Sequence, residues 1–181
     1  MLYTLSLSEW EDIEIKAEAR NNIKMPNTSV RVDNKKTDLQ IHIYGMAAEY
    51  AFGKLFGLQP DLGAQLKGDA GYDFVFPGGL TAEIRYRFER NRDFSLYSDR
   101  LEDFKADFGV LVWPGPSVRQ FEIIGWVSKV GFAMMAKRKY LKGWRLLVPW
   151  QWLRKPEELH LLNKNSNSSY NPQNSIISIN S

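Results

Sequence analysis

The stretch that decides the fold is "GDAGYDFVFPGGLTAEIRYRF", residues 68–88. Two alternating apolar segments flank the Pro-Gly-Gly at positions 77–79, and this pattern predicts a β-hairpin with a short turn. Counting back from a three-residue turn pairs Asp73 with Glu83, unless a bulge shifts the register by one residue. The simplest count therefore sets two carboxylates about 5 Å apart, measured between their Cβ atoms.

Like charges placed directly opposite each other destabilise a sheet, so something must offset this repulsion. Alternation along the second strand places Glu83, Arg85 and Arg87 on one face and leaves the other face to the core. One interpretation is a bound divalent cation, because Mg²⁺ takes oxygen ligands and keeps waters for a phosphate. The other is that Arg85, Arg87 or another cation holds both carboxylates, and the hairpin alone favours neither.

A third carboxylate lies on the helix predicted for "GMAAEYAFGKLFGL", residues 45–58, which Gly57 closes. Glu49 shares a stripe of this helix with a glycine and two phenylalanines, which is an unusual position for a solvated charge. It either points inward at a ligand or forms a salt bridge with Lys54.

The remaining segments predict an α+β domain with a central mixed β-sheet flanked by helices. A first helix is predicted for "SLSEWEDIEIKAEARNN", with Ser8 as its N-cap and Glu11 completing a capping box, and residues 23–40 are predicted as a loop. Further strands are predicted for "DFGVLVW", "VRQFEIIGWVS" and "GWRLLVPWQWL", and "KVGFAMMAKRKYL" is compatible with a short helix.

The length of 181 residues suits one domain, predicted over residues 1–162, followed by a tail. Asn and Ser make up 12 of the last 19 residues, so residues 163–181 are expected to be disordered. Cysteine is absent, which excludes disulfides and thiolate metal sites and fits the cytoplasm. No apolar run approaches the ~20 residues of a membrane helix, and the first residues do not resemble a secretory signal.

Two segments, "RYRFERNRDFSLYSDR" and "KRKYLKGWR", interleave basic and aromatic residues. Such segments suit a groove that follows a phosphate backbone, although a solvated surface is the alternative. The residues predicted to contact nucleic acid are Arg87, Lys137, Arg138, Lys139 and Lys142. Five tryptophans are assigned to the core or its rim rather than to base stacking: Trp113, Trp126, Trp144, Trp150 and Trp152.

The helix and the two acidic hairpin arms together resemble the PD-(D/E)xK nuclease superfamily, above all its small phage and bacterial members. The resemblance rests on the helix "GMAAEYAFGKLFGL", the hairpin arms "GDAGYDF" and "TAEIR", and the strands "DFGVLVW" and "IIGWVSK". The segment "VPWQWLRKPEEL" also fits, so the resemblance covers roughly residues 45–159. It implies a restriction-endonuclease-like α/β/α fold.

The resemblance also implies metal-dependent hydrolysis of DNA phosphodiester bonds. Asp73 and Glu83 would ligate Mg²⁺ or Mn²⁺, and Glu49 would hold a metal-bound water or a second ion. The metal would lower the pKa of a bound water and stabilise charge growing on the phosphate. The implied partner is DNA, no membrane is involved, and a homodimer is left open.

The chain departs from the family pattern at Arg85, where the family has lysine. A lysine shifts its pKa and helps to position or deprotonate the attacking water, whereas an arginine stays protonated and clamps a phosphate. Three alternatives follow: a nuclease with an arginine clamp, a nuclease whose lysine is Lys54 or Lys67, or a catalytically silent fold that binds nucleic acid or a protein.

Overall fold

A computed structural model describes residues 1–23, 36–59, 71–96, 100–141 and 143–160. The helices in these ranges are α1 (Leu7–Ile23), α2 (Asp38–Phe56) and α3 (Lys129–Met135). The strands are β1 (Leu2–Thr4), β2 (Phe74–Val75), β3 (Thr81–Tyr86), β4 (Phe94–Ser95), β5 (Phe108–Pro114), β6 (Gln120–Ser128), β7 (Lys137–Tyr140) and β8 (Trp144–Val148). None of the described helices is long and apolar enough to cross a membrane. The predicted tail, residues 163–181, lies outside the described residues.

The central sheet has five strands in the order β1-β6-β5-β3-β2. β3 and β5 run parallel, and the other neighbouring pairs are antiparallel. A smaller antiparallel sheet has the order β4-β8-β7. The predicted α+β class with a central mixed sheet is therefore confirmed.

The central sheet separates two hydrophobic clusters. Alternation along β5 sends Val110 and Val112 into the cluster beneath α1 and α2, and Leu111 and Trp113 into the other. That second cluster is covered by the smaller sheet and by α3, whose Phe132 is fully buried. Helices α1 and α2 thus cover one face of the central sheet, and mainly strands cover the opposite face.

The first helix is capped by Ser6, and the predicted capping box of Ser8 and Glu11 is wrong. Ser6 Oγ accepts a hydrogen bond from Glu9 N at 3.2 Å, and Glu9 Oε2 accepts one from Ser6 N at 2.8 Å. Both serines are followed three residues later by a glutamate, so both fit the capping-box pattern. Tertiary contacts of Glu9 decide between them.

The Glu9 carboxylate joins α1 to β1 and α2. Its Oε1 accepts hydrogen bonds from Tyr50 at 3.0 Å and Tyr3 at 3.3 Å, and Lys54 Nζ lies 3.5 Å away. Burial alone would raise the pKa of Glu9, but hydrogen bonds from Ser6 and Tyr50 outweigh it and hold the pKa below its ordinary value. The folded protein therefore favours the ionised carboxylate.

The second helix begins at Asp38, seven residues before its predicted start at Gly45. Thr37 caps it, because Thr37 Oγ1 accepts from Gln40 N and Gln40 Oε1 accepts from Thr37 N, both at 3.1 Å. The predicted loop over residues 23–40 is thus wrong at its end, and its residues 24–35 lie outside the described ranges. The T-x-x-Q pattern was the available signal, but the Ile and His that follow it are weak helix formers.

Three strands, β1, β4 and β7, are absent from the predicted elements. β1 and β4 have only two or three residues, which is too short for an alternating pattern to show. β7 lies in the segment predicted as a short helix, of which only α3 is helical.

The two sheets approach each other closely at Gly109. A Cβ at this position would overlap the ring of Phe94 from β4, which is itself fully buried. Because glycine has no side chain, β4 packs directly against β5 at this position.

We expect Gly109→Ala to lower the free energy of unfolding by about 1–3 kcal/mol, because the added methyl overpacks this contact. Gly45→Ala is the matched control, since nothing lies within 4 Å of a Cβ added there. In the interior of α2 that change should stabilise by roughly 0.5–1 kcal/mol. Urea denaturation measures both values, and equal stability of the two variants would contradict the close approach at Gly109.

We expect Glu9→Gln to destabilise the protein by about 1 kcal/mol at neutral pH, because the carboxylate loses its charge-assisted hydrogen bonds. The lowered pKa of Glu9 gives stability that is present above the ordinary value of 4.5 and is lost as the pH falls through the folded value. The difference between variant and wild type should therefore close in acid. Glu11→Gln should have little effect at any pH, and thermal melts that show equal losses for both variants would disprove the Ser6–Glu9 box.

Candidate active site

The β2–β3 hairpin has the predicted register over its paired residues. Phe74 pairs with Ala82, and Phe76 N donates to Leu80 O at 2.8 Å. The last turn residue, Gly79, has a φ of 82°, a conformation that favours glycine. The three-residue turn is therefore confirmed.

Asp73 lies directly before β2, where the antiparallel pairing stops. Its backbone N–H donates to Ala82 O at 2.8 Å, and its Oδ2 accepts from Ile84 N at 2.6 Å. In a longer β2, a backbone carbonyl would accept the hydrogen bond from the Ile84 amide. The Asp73 carboxylate accepts this hydrogen bond instead. Asp73 reaches the edge of β3 next to Glu83, instead of standing above the face of the sheet.

Glu83 and Arg85 lie on the face of β3 opposite α2. The intervening Ala82 and Ile84 belong to the hydrophobic cluster beneath α1 and α2, and alternation turns their neighbours the other way. Arg85 Nη2 forms an ion pair with Glu83 Oε1, and the two side chains are 28% and 13% exposed. Removing one partner from such a largely buried pair leaves an uncompensated charge, which is strongly destabilising.

Apolar groups border this ion pair. The parallel register with β5 sets Gly109 beside Glu83 and Leu111 beside Arg85. The Phe94 ring lies over Gly109, where a side chain would otherwise be. Such surroundings screen charge interactions less than water does, so each charge near Glu83 has a stronger effect there than on the open surface.

Asp107 is a further carboxylate near the start of β3, and it is missing from the predicted site. Its Oδ2 accepts hydrogen bonds from Thr81 N at 2.7 Å and from Thr81 Oγ1 at 2.8 Å. Thr81 shares a face of β3 with Glu83, so Asp107 adds an acidic group at this end of the strand. The sequence feature that could have identified Asp107 is its position as an acidic residue directly before a fully apolar strand.

Glu49 is half-buried on α2, the helix that packs against the opposite face of the central sheet from Glu83. Among the described residues, no three His, Cys, Asp or Glu side chains form a group that could hold one metal ion. The ligand set of Glu49, Asp73 and Glu83 therefore stays a prediction. The hairpin brings the Asp73 carboxylate to the backbone of β3 at Ile84, the residue after Glu83.

Two of the predicted cations have structural partners. Arg87 Nη2 donates to Ser95 O at 2.8 Å and also contacts Ser95 Oγ, which fastens the buried β4 to β3.

The pKa of Lys54 is raised, first by its hydrogen bond with Tyr50, so the amine stays protonated and is a poor general base. Lys67 lies outside the described residues.

Three of the five basic residues predicted to bind nucleic acid lie on the smaller sheet. Lys137, Arg138 and Lys139 are all exposed on β7. Lys142 lies outside the described residues. A role for them in nucleic-acid binding, like that of Arg87, stays a prediction.

No protein-family model, curated protein or solved structure matches this chain. The resemblance to the nuclease superfamily therefore rests on the quoted residues and on the hairpin that they form. The function has to be argued from the chemistry of that hairpin.

We expect Asp73→Asn to be as stable as wild type without metal, or more stable by up to about 1 kcal/mol. Asparagine keeps an oxygen for the Ile84 N–H and removes a negative charge beside Glu83. Adding Mg²⁺ or Mn²⁺ should raise the melting temperature of the wild type by mass action, but not that of the variant.

Glu89→Gln is the control for this metal response, because it removes a carboxylate from an exposed pair with Arg92 at 2.7 Å. Its response to both metals should equal that of the wild type. A strongly destabilised metal-free Asp73→Asn, together with a wild type that ignores both metals, would show that the hairpin is only an ion-pair network.

Proposed function

We propose that the protein is a metal-dependent nuclease that hydrolyses DNA phosphodiester bonds at the β2–β3 hairpin. The observation that carries this proposal is the register of the hairpin. It brings the Asp73 carboxylate to the Ile84 amide, next in the chain to Glu83, and Arg85 lies on the same face of β3 as Glu83. A restriction-endonuclease-like fold is part of the proposal, and the central mixed sheet with α1 and α2 on one face supports it. The opposite face departs from the α/β/α pattern, because it is covered mainly by strands and by the short α3.

The donor set of the hairpin fits a hard divalent cation. Asp73 and Glu83 would hold Mg²⁺ or Mn²⁺ through carboxylate oxygens, the ligand type that these ions prefer. Such an ion, when bound, supplies a water of lowered pKa and compensates charge on the phosphate. Glu49 lies on the helix that covers the opposite face of the sheet from Glu83, so the proposal gives it no direct contact with this ion.

Arg85 would bind the scissile phosphate. Its guanidinium has five N–H donors, so it can remain on Glu83 and still donate two parallel hydrogen bonds to phosphate oxygens. It stays protonated under all working conditions and takes no proton from the attacking water. Lys54 would be a poor acceptor for that proton, because its pKa is raised. A carboxylate, bulk water or Lys67, which lies outside the described residues, would accept it instead.

The ion pair between Glu83 and Arg85 favours a second candidate, a catalytically silent nuclease fold that binds nucleic acid. The Glu83 charge is compensated by the chain's own arginine, so folding of the hairpin does not require a metal. In this case Arg85 serves the stability of the hairpin, and nucleic acid binds elsewhere on the surface.

Cleavage of supercoiled plasmid and labelled oligonucleotides with Mg²⁺ or Mn²⁺ separates the two candidates. We expect the wild type to cleave, and Asp73→Asn and Glu83→Gln to lower the rate on the order of 100-fold or more. Arg85→Lys restores the family pattern and should raise activity or leave it unchanged. Glu89→Gln should cleave like the wild type. A wild type that binds DNA but leaves it intact with both metals supports the silent fold instead.

A further inference from the structure

A second surface of the molecule combines positive charge with exposed aromatic rings. Residues 123–156 contain eight Lys and Arg and no Asp or Glu, although the whole chain has 24 basic against 21 acidic residues. The eight are Lys129, Lys137, Arg138, Lys139, Lys142, Arg145, Arg154 and Lys155. A segment with this bias has a positive local potential that attracts polyanions.

The strand β7 presents this charge at the edge of the smaller sheet. The order β4-β8-β7 puts it at the end of the ladder, and all four of its residues are exposed. Alternation places Lys137 and Lys139 on one face of the strand, and Arg138 and Tyr140 on the other. Both faces of this edge strand therefore carry cations.

Two aromatic rings face each other across the β7–β8 ladder. Tyr140 pairs with Trp144, and their ring centroids are 5.5 Å apart with the planes at 77°. These residues are 66% and 50% exposed. The guanidinium carbon of Arg138 lies 4.5 Å from the centroid of the Trp144 ring. Large exposed rings with a polar handle are typical of binding surfaces.

A second indole repeats this arrangement near the start of β7. Lys137 Nζ lies 5.0 Å from the centroid of the Trp152 ring, and Trp152 is 47% exposed. Each of the two exposed indoles thus has a cation at its face. A planar group that stacks on either ring would find a positive charge beside it.

Single-stranded nucleic acid matches this combination. Its phosphates are anionic, and its unpaired bases offer flat faces that stack on aromatic side chains. A duplex keeps its base faces inside the stack, so it would use only the cations of this surface. An anionic lipid surface would also attract the cations, but here charged side chains lie over the indoles, whereas membrane insertion needs the rings in contact with acyl chains.

We propose that the β7–β8 hairpin binds single-stranded nucleic acid. Bases stack on Trp144 and Tyr140, and phosphates lie at Lys137, Arg138 and Lys139. This binding site is built on a different sheet from Asp73 and Glu83, and it does not depend on cleavage. It departs from the assignment of Trp144 to the core or its rim, because the ring is half exposed and flanked by a guanidinium.

Fluorescence anisotropy of a labelled oligothymidylate, with a chelator present to prevent cleavage, tests the proposal. The single strand should bind more tightly than a duplex of equal length. Trp144→Leu should weaken single-strand binding on the order of 10-fold and leave duplex binding within about twofold. Trp144→Phe keeps a ring and should retain most of the affinity. Half-exposed Trp144 tolerates both changes, and thermal melts confirm that the variants are folded.

The cations are tested separately through the salt dependence. Lys137→Gln with Lys139→Gln should weaken single strand and duplex alike and flatten the dependence of affinity on salt, because fewer counterions are released. Lys16→Gln, an exposed lysine on α1, is the matched control and should change neither.

Equal affinity for single strand and duplex, with no effect of Trp144→Leu, would overturn the proposal. Binding to vesicles of anionic phospholipid that is lost in Trp144→Leu, with no binding of the oligonucleotide, would overturn it in favour of a membrane surface. A protein that binds the single strand through Trp144 but never cleaves DNA supports this inference, and only the proposed nuclease activity fails.

Discussion

The parallel pairing of β3 with β5 is the constraint on which the arrangement of charges depends. β5 is buried on both faces, so β3 must place apolar side chains on the side of α1 and α2. Its alternate residues, Glu83 and Arg85, are then turned toward the second cluster, where the fully buried Phe94 leaves little room for water. A shift of β3 by one residue would bury these charges beneath α2 and turn Ala82 and Ile84 away from the cluster there.

The acidic hairpin supplies partners for both of its carboxylates. Each carboxylate has a partner from the hairpin itself, the Ile84 amide for Asp73 and the guanidinium for Glu83. The repulsion between them is reduced because Asp73 is directed at the Ile84 amide and because Arg85 compensates the charge of Glu83. A metal ion would compete for the carboxylate oxygens, and a phosphate would compete for the guanidinium. The hairpin would therefore use the same groups for folding and for the proposed chemistry.

The sequence was sufficient to predict the hairpin, its register and the two long central strands. Their signals are local: a Pro-Gly-Gly turn, alternation of apolar residues and a continuous apolar run. The cap of α1 was predicted wrongly because two patterns fitted and tertiary contacts decided between them. The start of α2 was missed because the residues after its cap are weak helix formers. Ser6 and Glu9 form the capping box of α1 because Tyr3 and Tyr50 hold the Glu9 carboxylate, and Tyr50 lies 41 residues away in the chain.

The candidate active site could be predicted from the sequence about as far as the fold could. The order of Asp73, Glu83 and Arg85 along the hairpin follows from the register, but the contact of Asp73 with Ile84 depends on where β2 ends. Asp107 was missed because its partner Thr81 lies 26 residues away in the chain. The exposure of Tyr140 and Trp144 depends on β7 being an edge strand, which the helix-like segment around it concealed.

The pairing of β1 with β6 has a consequence for how the chain folds. Leu2 pairs with Glu122, so the edge of the central sheet joins residues that are about 120 positions apart in the chain. Loop closure over such a separation is slow, and a ribosome delivers α1 and α2 long before the strand that β1 needs. Until β6 emerges, the apolar faces of both helices remain open to aggregation, and the last strand of the central sheet to be synthesised pairs with the first.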